Sequence, residues 1–209
     1  MTELRVGYFL EDLAHEKFFV AMVERIAGEF NCSVIHDVRS ARGGHAIEEW
    51  KVFIRDLKKG YQQVPEWHIL LVAIDANQKR WNQRKQEIEQ EVQDVPLPCL
   101  VVAVPSPYIQ AWFLLDITAL EKALETVGIQ IQWVKIKKGK KVDFKDTFAR
   151  TVREALGFPA QYEVYGDDIA RYMDLAIQTN TEYLREPRSS FDKFIKNLKE
   201  CLARLCPQN

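Results

Sequence analysis

The sequence predicts an α/β fold: a mainly parallel sheet with helices on both faces, followed by C-terminal helices. Three observations carry this. Residues 69–74, Ile-Leu-Leu-Val-Ala-Ile, form a continuous apolar run, too short for a lone helix, that suits an interior strand covered on both faces. Strand-like runs at 4–10, 32–35 and 99–104 alternate with stretches of helical period, the rhythm of βαβ units. Polar residues follow the first three runs: Glu11-Asp12, His36-Asp37 and Asp75-Ala76-Asn77. Open α/β sheets bind ligands at such carboxyl ends of strands.

Each element has its own signal. In the first strand Val6, Tyr8 and Leu10 alternate against Gly7 and Phe9. Leu13, Phe19, Met22, Val23, Ile26 and Phe30 make a helical stripe over 13–30. After the second strand, a short basic loop with Arg39, Arg42, Gly43 and Gly44 opens a helix over 46–59. Glycines there could bring backbone amides to an anion, but without Walker or dinucleotide spacing an ordinary turn is the simpler reading. The central run leads into a charged helix over 79–91, most of whose charge reads as a solvated face. Pro96 and Pro98 precede the fourth strand, and Pro105 and Pro107 end it and set the start of the next helix. Residues 129–136 alternate as a strand or hairpin arm, with Lys137-Lys138-Gly139-Lys140-Lys141 as its basic turn. Helices are expected over 144–156, 167–176 and 190–205, with a break at Pro159 and Ser189 or Ser190 as an N-cap after a loop over 184–191. The chain thus divides into an α/β core, 1–127, and a hairpin with a helical extension, 128–209, packed back on it.

Composition bounds the rest. A chain of 209 residues, 47% apolar and 11% aromatic, has enough material for one sizeable packed domain. The net charge of −1 excludes a global basic field, so any nucleic-acid surface must be local. Cys32, Cys99, Cys201 and Cys206 show no metal-ligand rhythm; Cys32 and Cys99 read as small core residues, and the usage fits a reducing cytoplasm. The start of the chain carries no signal-peptide pattern and no apolar stretch reaches spanning length, so a soluble cytoplasmic protein is expected. His15, His36, His45 and His68 form no recognisable ligand pair, which argues against zinc.

Asp75 and Asn77 stand out as chemistry. A carboxylate and a carboxamide two positions apart at a strand end suit a hard cation or a polar substrate. Either could instead simply cap a helix starting near Gln78.

Taken in order, Phe9-Leu10-Glu11-Asp12 with Glu16 a turn further on, Leu71-Val-Ala-Ile-Asp75-Ala-Asn77, Pro107-Tyr-Ile-Gln110-Ala-Trp112-Phe-Leu-Leu-Asp116 and Arg188-Ser-Ser190-Phe191-Asp-Lys-Phe194 resemble a known pattern. It is the TOPRIM-type fold, in the version found in a prokaryotic family related to the nuclease half of overcoming-lysogenization-defect proteins. The resemblance covers nearly the whole chain through short motifs. It implies a divalent metal, Mg²⁺ or Mn²⁺, held by Glu11 and Asp75 with Asn77 and Glu16 completing the shell. It also implies an ATPase partner in an anti-phage or restriction-like setting. Asn77 stands where the pattern has Asp, and Gln110 where it has Glu; each swap keeps an oxygen ligand and removes a charge. Asp12, Glu16, Asp37 or Asp116 could make up the loss.

Two function classes follow. One is a metal-dependent, nuclease-like phosphoryl-transfer enzyme with Glu11 and Asp75 as its catalytic pair. Lys79 and Arg80 would contact phosphates, or be plainly solvated. The other is a non-catalytic interaction subunit with a degraded site, partnering an ATPase or nucleic acid. A third, weaker option is a nucleic-acid-binding module built on Lys137, Lys138, Lys140 and Lys141, which could equally be a solubilising guard for an edge strand.

Overall fold

The computed structural model describes residues 2–41, 44–60, 66–136, 141–158, 162–177 and 181–206. Arg42, Gly43 and Pro159 fall outside the described residues, as do Lys137, Lys138 and Lys140 of the basic turn.

Four parallel strands make one sheet in the order β2-β1-β3-β4. They are β1 (Thr2–Leu10), β2 (Cys32–Ser40), β3 (Ile69–Ala73) and β4 (Leu100–Ala103). Eight α-helices are seen among the described residues: α1 (Leu13–Glu29), α2 (Ala46–Lys58), α3 (Trp81–Glu91), α4 (Ile109–Phe113), α5 (Ile117–Ala123), α6 (Phe144–Leu156), α7 (Gly166–Tyr172) and α8 (Arg185–Leu205). No helix among the described residues is long and apolar enough to cross a membrane.

Strand alternation sorts side chains onto the two faces of the sheet. Val6, Tyr8 and Leu10 of β1 join Leu71 and Ala73 of β3 in the larger core, with Phe18 and Met22 of α1 and Phe194 and Leu198 of α8. Phe9, Leu70, Val72 and Val102 face the other way, onto Trp50, Phe53 and Leu57 of α2 and Ile88 of α3. Every residue of β3 is buried, as its unbroken apolar run requires. The larger core also takes in Phe144, Phe148, Val152, Phe191 and Phe194, so the helical extension shares one core with the sheet.

The helix after β1 lies on one face and the helix after β2 on the other, while β1 and β3 are sheet neighbours. The chain therefore reverses direction across the sheet between β1 and β3. This is the topological switch point, where loops diverge and leave a crevice at the carboxyl edge.

Several expectations are corrected. β2 does not end at His36-Asp37: it runs to Ser40 because it pairs along the full length of β1, from Thr2 opposite Cys32 to Leu10 opposite Ser40. His36 Nε2 donates to Glu24 (3.1 Å) and its Nδ1 accepts from the Tyr8 hydroxyl (2.8 Å), while Asp37 accepts from the Trp67 indole (2.9 Å). Residues 129–134 form no strand, and among the described residues an isolated antiparallel bridge, Lys135 to Val142, is all that marks the expected hairpin. Ile129, Ile131 and Trp133 alternate because they pack on the core, which produces a strand-like pattern without a strand. α8 starts at Arg185, so Ser190 is internal: its hydroxyl donates to the Pro187 carbonyl and accepts from Trp112 Nε1 (both 2.9 Å). Pro187 is no breaker there, since a first-turn residue needs no intrahelical N–H bond. α7 stops at Tyr172, short of Ala176, where Met173 turns to extended backbone. The cysteines are paired as well as buried, Cys32 with Cys206 and Cys99 with Cys201, so cysteine usage lends no support to a reducing compartment.

Gly7 shows why the central strand tolerates only a hydrogen at that position. A Cβ there would come within 2.4 Å of the Trp67 ring, which covers the strand and is itself held by Asp37. Gly7→Ala must displace the indole or bend β1, and is expected to cost about 1–3 kcal/mol, the usual scale of overpacking. Urea denaturation of the two proteins checks it, and Trp67→Leu in the same background should recover part of the loss.

Candidate acidic site at the switch point

The site begins where β1 and β3 end side by side. The Glu11 amide donates to the Ala73 carbonyl (3.1 Å), continuing the pairing one residue past β1. The Asp75 amide then donates to the Glu11 carboxylate (2.6 Å), which locks the two acids together. Beyond Asp75 the chain leaves the sheet along the next strand's loop: Ala76 and Asn77 donate their amides to Pro105 and Pro107 (2.8 and 2.9 Å). Asn77 sits in the left-handed region at φ 56°, a conformation Asn adopts more readily than most residues. Its side-chain amide donates to the Asp75 carbonyl (3.3 Å).

Neither Asp75 nor Asn77 caps α3, which starts at Trp81 with Arg80 in the cap position and no side-chain cap bond. The capping carboxylate belongs to Asp12, which accepts the His15 amide (3.0 Å) at the start of α1. The first helical turn thereby carries the His15 ring into the crevice. His15 is fully buried; its Nδ1 donates to Asp12 (2.7 Å) and its Nε2 to Asp75 (3.1 Å). One ligand atom each from Glu11, His15 and Asp75 falls within 4.8 Å of the others.

The charges follow from this packing. Burial pushes His15 down, but the Asp75 charge and the hydrogen bonds to Asp12 and Asp75 outweigh it and raise the imidazole to about 10. Burial pushes Asp12 up, but the His15 hydrogen bond and charge prevail and take it to about 2. Asp75 is raised by burial, against the opposing pull of His15. Glu11 is raised by burial and by repulsion from Asp75. The imidazole thus bridges two carboxylates that favour its protonated form, with a third acid beside them.

As a cation site, this trio offers two carboxylates and an imidazole, a donor set that suits a divalent transition ion such as Mn²⁺ at least as well as Mg²⁺. His15 becomes a ligand only by giving up its Nε2 proton, so the residues fit a metal that competes with that proton. Gln110, the second residue of α4, is buried, and its side-chain oxygen has no hydrogen-bond partner among the described residues.

The other expected residues are placed differently. The Glu16 carboxylate accepts from Ser40 (3.0 Å) and lies outside the trio. Asp37 is spent on Trp67, and Asp116 caps α5 while also accepting the Asp174 amide (2.7 Å). Lys79 pairs with Glu87 of α3, and Arg80 is exposed. Lys141, the one lysine of the basic turn inside the described residues, is exposed. Sequence reasoning missed His15, although its i+3 spacing from the capping Asp12 was a usable signal. It also missed Lys145: its ammonium lies 4.3 Å from the centre of the Tyr108 ring, and its charge is felt at Asp75. No local pattern could have linked α6 to this edge.

The fold and the site together define a class: an open parallel α/β protein with a buried acid–histidine cluster at its switch point. Comparisons with protein-family models, with curated proteins and with solved structures found no match to the chain.

The raised His15 value sets a pH window for stability. A group whose folded value lies above its unfolded one stabilises fully below the unfolded value, near 6.5, and loses that effect as pH rises through the folded value, near 10. Without added metal, His15→Gln is expected to cost on the order of 3 kcal/mol at pH 6. Urea denaturation of both proteins at pH 6 and pH 10 should show this gap narrowing; an unchanged gap would mean that the imidazole is neutral.

Proposed function

We propose that the chain is a metal-dependent phosphoryl-transfer protein of nuclease-like type, acting on nucleic acid in the cytoplasm at the crevice between β1 and β3. One observation supports this above the others: Glu11, His15 and Asp75 come from separate elements and converge at the switch point. Charged groups are drawn into a low-dielectric crevice there, at a cost that packing alone would not require. Glu11 and Asp75 hold the cation, with His15 Nε2 as a third donor once deprotonated. When bound, such a cation offsets charge on phosphate oxygens and acidifies water. Asp12 orients the imidazole, and Lys145 contributes positive charge where a phosphate would approach.

A second reading rests on its own observation. His15 already supplies positive charge to Asp12 and Asp75, and Asn77 is used as a left-handed turn residue bonded to backbone. A site neutralised in this way suits a non-catalytic subunit that keeps the fold and docks on a partner such as an ATPase.

Asp75→Asn separates the two readings better than Asp75→Ala, because alanine would strand the buried His15 Nε2 without an acceptor. The phosphoryl-transfer reading expects weak Mn²⁺ binding by wild type in calorimetric titration, none detectable by Asp75→Asn, and tighter binding by Asn77→Asp. It also expects Mn²⁺-dependent cleavage of single- or double-stranded DNA or RNA that Asp75→Asn reduces at least a hundredfold. If no protein of the three binds Mn²⁺, or Asp75→Asn cleaves as wild type does, the subunit reading stands.

A further inference from the structure

The four cysteines form two bridges, and the two have different surroundings. Both anchor the last turns of α8 to the amino edge of the sheet: Cys206 to Cys32, at the start of β2, and Cys201 to Cys99, just before β4. The Cα atoms are 6.7 and 6.2 Å apart, within reach of a disulfide, and all four residues are buried. Around Cys99 and Cys201 the chain adds a cation. Arg204 Nη2 lies 3.1 Å from the Cys99 sulfur and 3.5 Å from the Cys201 sulfur. Arg204 itself is exposed, while the two cysteines it touches are buried. Cys32 has opposite company, its sulfur 3.7 Å from the Phe30 carbonyl oxygen.

A guanidinium beside a sulfur favours the thiolate, and a carbonyl oxygen opposes it. Thiol–disulfide exchange goes faster when the departing sulfur is stabilised as a thiolate. We propose that Cys99–Cys201 is a reversible redox site, exchanged by small thiols of the glutathione class and assisted by Arg204, whereas Cys32–Cys206 is a static staple. In the reductive direction a glutathione thiolate attacks the Cys201 sulfur. The Cys99–Cys201 bond breaks, and Cys99 leaves with the bonding pair as a thiolate beside Arg204. A second glutathione thiolate attacks the glutathione sulfur of the mixed disulfide, releasing oxidised glutathione and the Cys201 thiolate. The two protein thiolates gain two electrons in all and take protons from solvent; two glutathione molecules lose them. Oxidation runs the same steps backwards, with oxidised glutathione as the oxidant.

The test uses the full chain purified without reductant. It is exposed to reduced glutathione for increasing times, quenched with N-ethylmaleimide and mapped by mass spectrometry. Cys99 and Cys201 should become labelled at least ten times faster than Cys32 and Cys206. Arg204→Gln should slow the first pair about tenfold and leave the second unchanged, while Arg204→Lys should keep most of the rate. In the fully reduced wild type, Cys99 should be alkylated down to lower pH than Cys32, a comparison that does not require any variant to fold. Equal opening of the two bridges, no effect of Arg204→Gln in a folded variant, or identical pH profiles for Cys99 and Cys32 would each overturn the proposal. Isolation of the wild type with Cys99 and Cys201 as unpaired thiols that oxidised glutathione cannot join would do the same.

Discussion

The bond from the Asp75 amide to the Glu11 carboxylate joins residues 64 positions apart and fixes the geometry of the carboxyl edge. It forms because β1 and β3 are neighbours, which in turn requires the chain to cross from one face of the sheet to the other after β2. Two carboxylates brought this close, one buried and one half-buried, repel each other, and Asp12 adds a third. The His15 imidazole answers that repulsion, and it can do so only because Asp12 caps α1 and holds the ring from the far side. Strand order, helix cap and buried proton therefore depend on one another. A divalent ion in the same crevice would substitute one source of positive charge for another, so binding it would compete with the His15 proton.

The sequence made much of the fold legible. β3 was readable because an interior parallel strand needs apolar residues on both faces, and α1, α2 and α6 because a half-buried helix needs a stripe. That Glu11 and Asp75 lie at one edge of the sheet was readable because each follows directly on a strand-like run. The limits were physical too. Ile129, Ile131 and Trp133 pack on the core in turn, so 129–134 looked like a strand without being one. The polar pair His36-Asp37 looked like a strand end because an edge strand can spend polar side chains on its neighbours, here Tyr8, Glu24 and Trp67. His15 was hidden by its position inside a helix, and Lys145 and the two cystines by contacts between segments far apart in the chain.

The two faces of the sheet are supported unequally. One is covered by α2 and α3, which lie between the strands in sequence. The other depends in large part on α8, whose Phe191, Phe194 and Leu198 fill the layer around Trp112 while Ser190 accepts the Trp112 indole hydrogen.

That asymmetry bears on how the protein is made. A ribosome that has delivered all four strands has delivered a sheet with one clothed side and one partly bare side, because α8 is not translated until some eighty residues after β4. Until it emerges, Trp112 and Phe19 lack the α8 rings that pack on them, and nascent chains with such exposed apolar surface are prone to aggregate. Docking of α8 is therefore the packing step that closes this face of the sheet.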